Sequence, residues 1–326
     1  MIDLLNSPAI LHSAAIHGDG FVDKPQSLKP VELELGGYVW FHLCNKNKDT
    51  KKIIAEIVSV DDHIITGLLE NNSRPRLVNR DGNTVIYLRS VKGTLDCKIS
   101  DMVSVHMLVN KNVIITLQDQ TEGIIDYIAD LINNNHAPKN TGDFIATFTN
   151  QIIEKLEPHF ETLQSAVDAI EEDFESHEVS SKDIDLGTIR TQIAIARRHI
   201  IPQEKVYNRL VLNQFEWLHG ACHDQMVENN NRMLYYIESL NDLRDRTIII
   251  NDEIKKENDE RLNKNTHLFS IMATIFLPLS FLTGLLGVNV AGMPGMDYIP
   301  SFWLFVLLCF VLVFFQILWF QKKKWL

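Results

Sequence analysis

The sequence predicts an α+β membrane protein, and three observations lead to this fold class. Runs of β-branched and apolar residues of strand length lie within residues 30–120. From about Asp143 the chain becomes almost entirely helical, with little Gly or Pro. Two apolar spans near the C-terminus, 268–288 and 301–320, contain no Asp, Glu, Lys, Arg or His. We therefore expect a mixed α/β domain, a helical region and a membrane hairpin, in that order.

Residues 1–140 are predicted to form the α/β domain. Its expected strands are residues 38–43, 84–91, 102–109 and 113–117. Residues 53–60 and 122–133 have helical spacing, and Asn110-Lys111-Asn112 suits a hairpin turn. We expect the segment that carries His12 and His17 to be mobile.

Residues 141–267 are predicted to be helical. One helix covers residues 189–213, and a final helix begins near Ala221 and continues to residue 288. At 1.5 Å per residue that final helix would be roughly 100 Å long, which fits a stalk better than a core helix. Residues 151–185 contain eleven acids against two lysines. Such a run is either a solvated helix face or a surface that concentrates cations.

The two apolar spans, 268–288 and 301–320, are each long enough to cross about 30 Å of hydrocarbon as a helix. Basic residues precede the first span and form the tail at 321–326, whereas the loop at 289–300 has no Lys or Arg. The positive-inside rule then places both termini in the cytoplasm and the short loop outside. The alternative is a buried or amphipathic hairpin.

Composition restricts the function classes. The net charge of −11 argues against a nucleic-acid partner, because phosphate binding needs a basic surface. The four cysteines form no CxxC pair, as in a reducing compartment. No nucleophile–base set, phosphate loop or catalytic carboxylate pair stands out, so we expect neither an enzyme nor a bound cofactor.

A seven-residue pattern runs along the final helix. One series is Glu238, Asp245, Asp252, Asp259, Thr266, Ala273, Ser280 and Gly287, and the companion series is Asp242, Ile249, Lys256, Asn263, Ser270, Leu277 and Gly284. A seven-residue repeat keeps one face towards a partner or a shared axis. The first series is acidic and then small or hydroxylated, and in lipid its hydroxyls would lack partners. It therefore suits a water-filled axis shared by several chains, since two spans per chain cannot enclose a pore. The alternative is that the acids face solvent and the small residues only allow close helix packing.

A local motif, His219-Gly220-Ala221-Cys222-His223, carries zinc-binding side chains. On a helix, positions i, i+3 and i+4 share one face, so His219, Cys222 and His223 are candidate metal ligands. The alternative is a structural pair beside a turn, because Gly220 interrupts the helix and no fourth ligand is visible.

The whole chain resembles the CorA family of divalent-cation transporters. The resemblance rests on Tyr38-x-Trp40, on residues 197–203 (Arg-Arg-His-Ile-Ile-Pro-Gln), on the long helix and hairpin, and on Gly287-Val288-Asn289 after the first span. The family signature has Met where Val288 stands. This variant, with the segment Asp101 to Val105, is similar to the ZntB zinc-transporting branch.

The resemblance implies a homopentamer of the bacterial inner membrane in which the long helix lines a pore. The pore mouth would be formed by Gly287, Val288, Asn289 and Asp297; the pore by Ser280, Leu277, Ala273, Ser270, Thr266 and Asn263; and the funnel acids by Asp259, Asp252, Asp245 and Glu238. Leu277 would be a hydrophobic constriction, and Asn289 would meet the hydrated ion. The implied activity is Zn²⁺ uptake, with proton coupling and other divalent cations left open. The alternatives are a magnesium or cobalt channel gated by cytoplasmic metal, and a membrane-anchored sensor domain.

Overall fold

A mixed seven-stranded sheet organises the N-terminal part of the computed structural model. The structure describes residues 4–29, 33, 36–70, 74–91, 102–118, 123–175, 186–288, 295 and 298–323. The strands are β1 (Ile10–Ile16), β2 (Val22–Asp23), β3 (Tyr38–Cys44), β4 (Arg76–Arg80), β5 (Asn83–Ser90), β6 (Val103–Val109) and β7 (Val113–Gln118). Their order in the sheet is β2-β1-β3-β7-β6-β5-β4, and β3 and β7 form the one parallel pair among the described strands.

The helices follow the strands and then fill the rest of the chain. They are α1 (Thr50–Ile57), α2 (Asp62–Leu69), α3 (Ile124–Asn133), α4 (Thr141–Glu175), α5 (Leu186–Leu212), α6 (Ala221–Leu286) and α7 (Ser301–Lys322). The four predicted strands, the turn at Asn110 and the start of the final helix near Ala221 are confirmed. The final helix ends at Leu286, two residues before the predicted end.

Alternation of side chains along the central strands gives the sheet two buried faces. On one face Val39, Phe41 and Leu43 pack with apolar residues of α1 and α2. On the other, Trp40 packs against Phe144 of α4, with ring centroids 5.9 Å apart. Helices therefore cover both faces, which explains why β3 and β7 are apolar almost throughout.

The expectation of a mobile N-terminal segment is wrong. Residues 10–16 form β1, which pairs antiparallel with β3, and the ring of His12 stacks on Trp40. The strands β1, β2 and β4 and the helix α2 were not predicted. β4 (RLVNR) is mostly exposed at the sheet edge, so its sequence lacks the apolar run that identifies a central strand.

The chain separates into two compact units, residues 1–250 and 251–326, and α6 contributes to both. The predicted boundary between residues 140 and 141 falls inside the first unit and stays a prediction, as do the other predicted domain limits.

In the first unit, α6 packs in parallel with α4. Phe160 stacks on Tyr236 at 4.2 Å, and the side chain of Asn229 donates to the carbonyl oxygen of Ala146 at 3.0 Å. Further along both helices, Arg246 binds Asp168 and Glu171. The contacts advance together along the two helices, so both point in the same direction.

In the second unit, the end of α6 packs against α7. Both helices carry apolar segments long enough to cross a bilayer, and almost none of those segments is buried within the chain. The most buried side chains described in this unit are Ile271 and Phe320. A surface this apolar, exposed on both helices, is what a lipid or subunit environment requires.

Candidate functional site

The predicted pore-facing series lies on the side of α6 that is not packed against its own chain. In the first unit, α6 buries one regular stripe against its own chain: Met226, Asn229, Met233, Tyr236, Leu240, Leu243, Thr247 and Ile250. These positions alternate in steps of three and four. Glu238 and Asp245 stand two positions from members of the stripe, about 200° around the helix, and both are exposed. The acids therefore lie opposite the buried face.

The same relation holds independently in the second unit. Within its membrane segment, the least exposed positions of α6 are Ile271, Ile275, Pro278, Leu279 and Leu282. Ala273 and Ser280 each lie two positions from members of this set and are exposed. They therefore point away from the least exposed side of this segment.

The remaining predicted pore residues of the second unit are also exposed on the single chain. They are Asp252, Asp259, Asn263, Thr266, Ser270, Leu277 and Gly287. Leu277, the predicted constriction, has 70% of its surface exposed. Near it, a Cβ added to Gly284 would meet no atom within 4 Å. Nothing in the described chain covers this face, so it is free to line an axis shared between chains or to pack on neighbours.

The hydroxyls along α6 do not require water as their hydrogen-bond partner. The hydroxyl of Ser270 donates to the carbonyl oxygen of Thr266 at 2.9 Å. The hydroxyl of Thr274 donates to the carbonyl oxygen of Ser270 at 2.8 Å. Hydroxyls in a helix can therefore find partners one turn back, without water. The position of the stripe, rather than its unpaired hydroxyls, carries the inference.

The predicted funnel acids differ in how far local cations offset them. Arg244 binds Asp245 at 2.6 Å, and Lys255 lies 3.8 Å from Asp252. Within the described residues, Glu238 and Asp259 make no ion pair. These surface pairs are weak and screened by salt, so the face keeps an acidic character that is strongest at the unpaired positions.

At the predicted pore mouth, the structure places Gly287 and Val288 just after the end of α6, both exposed. Asn289 and Asp297 lie outside the described residues. The hydroxyl of Ser301 donates to the carbonyl oxygen of Gly295 at 2.8 Å, and this bond ties the loop to the start of α7.

The predicted ligands His219, Cys222 and His223 are not brought together as a metal site. His219 precedes α6, and Gly220 adopts a φ of 59°, so the three residues do not share one helix. His223 Nε2 lies 3.1 Å from the carbonyl oxygen of Val211 and must donate to it. Burial, and then the nearby Asp143, raise the pKa of the Cys222 thiol, which disfavours the thiolate that zinc requires. Among the described residues, no three His, Cys, Asp or Glu side chains are grouped to hold a metal.

The residues that carried the family resemblance in the soluble part have structural roles. The hydroxyl of Tyr38 donates to the carbonyl oxygen of Pro138, and Trp40 Nε1 donates to Thr116 Oγ1, both at 3.0 Å. Gln203, fully buried in α5, accepts a bond of 2.7 Å from the backbone of Arg89 in β5. These contacts tie β3 to β7 and to the segment before α4, and they tie β5 to α5.

Sequence reasoning missed one contact beside the predicted constriction. Gln316, in α7, donates through Nε2 to the carbonyl oxygen of Thr274 in α6 at 3.2 Å. The available signal was a single amide residue within an otherwise apolar span, together with Pro278 in the facing helix.

Comparison with known proteins places the chain in a family. The family model for CorA-like Mg²⁺ transporter proteins matches residues 36–323. The chain belongs to the CorA-like Mg²⁺ transporter family. Family membership over this range includes both apolar spans, so α7 and the last part of α6 are its membrane helices.

Individual CorA-like relatives agree over nearly the whole length. The zinc transport protein ZntB of Photorhabdus laumondii is 27% identical over 287 residues, 88% of each chain. The structure of the full-length CmaX protein is 25% identical, covers 97% of this chain and 98% of its own, and has a TM-score of 0.81. The complete CorA magnesium transporter of Methanocaldococcus jannaschii is 14% identical, with a TM-score of 0.75 and coverage of 97% and 99%, which shows a shared fold.

Proposed function

We propose that this chain is a membrane transporter that carries Zn²⁺ through the central pore of a homopentamer, not an enzyme. One observation carries the proposal: the small and hydroxylated positions Ala273 and Ser280 lie on the exposed face of α6, opposite its least exposed side. A single-chain anchor would turn apolar side chains to the lipid on this face.

The transported ion is inferred from relatives and from the signature. Relatives across the chain length include zinc transport proteins named ZntB. The family signature carries Val288 rather than Met. Within the proposed pore mouth, Gly287 and Val288 lead to Asn289, whose amide would contact the hydrated ion, and Asp297 would attract it. Outer-sphere contact suits a small divalent ion that loses its water reluctantly.

The proposed pathway continues inward past Leu277 to the acids. Leu277 would form the constriction, and the acidic stripe from Asp259 to Glu238 would concentrate cations at the inner end. The proposed location is a bacterial inner membrane, and the charge bias around the spans supports a topology with both termini in the cytoplasm. If transport is coupled to protons, the coupling must run through pore water or groups at the ends of the spans, such as His267, because neither span contains Asp, Glu, Lys, Arg or His.

The direct test is ion uptake by liposomes that contain the purified protein. We expect an inward Zn²⁺ gradient to produce uptake that exceeds Mg²⁺ uptake at equal concentration. Replacement of Asn289 by Ala should abolish the flux while the oligomer remains intact. Comparison of uptake with and without a pH step decides whether protons are coupled.

Each outcome separates the alternatives. Uptake of Mg²⁺ alone would replace the zinc assignment with the magnesium channel. Absence of uptake for every divalent ion, from a correctly assembled protein, would leave an anchored sensor domain. Empty liposomes and the Asn289→Ala protein serve as the two controls.

A further inference from the structure

The helix α6 contains a proline in its membrane segment, and this creates a specific deficit. Pro278 has no backbone N–H, so it cannot donate to the carbonyl oxygen four residues back, which belongs to Thr274. In hydrocarbon a carbonyl without a partner is costly, and neighbouring helices commonly supply one.

Gln316 supplies the missing donor. Its Nε2 lies 3.2 Å from the carbonyl oxygen of Thr274, across the contact between α6 and α7. Only the nitrogen of the side-chain amide can face a carbonyl oxygen, so the chemistry fixes the orientation of the amide. The other amide atom, Oε1, is buried and finds no partner among the described residues. Burial of an unpaired amide oxygen in an apolar span costs free energy.

The position of the bond gives it a role beyond filling a deficit. Pro278 directly follows Leu277, which the proposed pathway uses as its constriction. Helices bend where the regular bonding is interrupted, and a bond to the freed carbonyl limits that bending. Thr274 lies about 100° around α6 from Ala273, so the amide holds the helix beside the pore stripe rather than on it.

We propose that Gln316 is a positioning residue for transport: its amide clamps α6 at the proline break and fixes the place of Leu277 in the pore. The proposal rests on the proposed function, because it requires that α6 lines the pathway. It differs from a purely structural role in one prediction. The effect of removing the amide on Zn²⁺ uptake, and not only on stability, must depend on the presence of the proline.

The test is a double-mutant cycle on the full-length protein. It compares the wild type with Gln316→Met, Pro278→Ala and the double variant. Methionine matches the length of glutamine but cannot donate, and the Pro278→Ala change restores the backbone N–H that bonds to Thr274. Gln321→Met makes the same change at an exposed position near the end of α7 and is the matched control.

Two measurements are made on each protein: the rate of Zn²⁺ uptake into liposomes, and the thermal unfolding temperature in detergent. We expect Gln316→Met to change the uptake rate by about threefold, the size set by one interhelical hydrogen bond in a membrane protein. It should also lower the unfolding temperature. In the Pro278→Ala background both effects should largely disappear, and Gln321→Met should leave both quantities near the wild-type values.

The outcomes are distinguishable. Equal effects of Gln316→Met in both backgrounds would overturn the clamp, because the amide would then act independently of the broken helix. Coupling in the unfolding temperature without coupling in uptake would reduce the residue to a structural role. A wild type that carries no metal would overturn the proposed function and the transport role together, while the thermal cycle would still decide whether the bond exists.

Discussion

At the scale of single residues, Ser280 distinguishes a water-filled axis from close helix packing. It lies on the exposed face of α6, whereas Leu282, two positions further on, lies about 200° around the helix among its less exposed positions. If the stripe lines a pore, Ser280 contacts water and Leu282 does not. If the small residues only allow close packing, neither position is open to water.

Cysteine accessibility tests this difference. In a background with the native cysteines replaced by serine, Ser280→Cys should react with a methanethiosulfonate carrying a trimethylammonium group. The fixed cation should then reduce Zn²⁺ uptake by about tenfold or more, since repulsion in a low-dielectric pore exceeds the 1.4 kcal/mol that corresponds to tenfold. Leu282→Cys is the matched control and should keep its uptake. Equal protection of both positions would refute a wet axis at this depth.

The residue scale also shows where prediction from the sequence ends. The outward direction of Ala273 and Ser280 was predictable, because a seven-residue series needs only the geometry of one helix. The bond between Gln316 and Thr274 was not, because it depends on how α7 is aligned with α6. For the candidate zinc ligands, the structure has the turn at Gly220 that the sequence offered as the alternative, and it separates His219 from the helix that carries Cys222 and His223.

At the scale of elements, the pairing of α4 with α6 explains part of the acidic run in residues 151–185. Arg246 binds Asp168 at 2.5 Å and also binds Glu171, and Arg232 lies 3.3 Å from Glu157. Three of the acids therefore hold the two helices together. Sequence periodicity identified both helices, but it could not show which acids face a partner and which face solvent.

Replacement of Arg246 by Ala should lower the stability of this pairing by about 1 kcal/mol, since the arginine is partly buried and binds two carboxylates. Arg244→Ala is the matched control, because Arg244 binds the adjacent Asp245 on the exposed side of the same helix and should cost almost nothing. The measurement is thermal unfolding of the full chain in detergent. Equal losses in the two variants would show that the interhelical pairs contribute no more than surface ones.

The contribution of Arg246 to the stability of the folded protein should also depend on pH. The hydrogen bond from Arg246 lowers the pKa of Glu171 below its ordinary value of 4.5. A carboxyl with a lowered folded pKa contributes stability that is present above the unfolded pKa and is lost as pH falls through the folded one. The difference in unfolding temperature between wild type and Arg246→Ala should therefore be constant above about pH 5 and shrink below about pH 4.5. A difference that grows in acid would contradict this sign.

At the scale of the whole molecule, the first unit leaves apolar side chains exposed on α6. Leu234, Tyr235, Ile248 and Ile249 each have at least 40% of their surface exposed. Tyr235 and Ile249 stand three positions before Glu238 and Asp252, so they flank the acidic stripe. An exposed apolar row beside a polar one is what a helix presents when it packs on copies of itself around a wet axis.

This arrangement predicts that α6 holds the proposed pentamer together. The double variant Tyr235→Glu and Ile249→Glu should shift the protein in detergent from five copies of the 37.4 kDa chain to smaller species, because burial of unpaired carboxylates costs several kcal/mol. Light scattering coupled to size-exclusion chromatography gives the mass. Leu212→Glu introduces the same charge at an exposed apolar residue that ends α5 and is the control.

A wild type whose mass is not that of five chains would reject the pentamer. Unchanged assembly of the double variant would move the subunit contact to another surface, and Zn²⁺ uptake that survives in dissociated chains would remove the shared axis from the transport pathway.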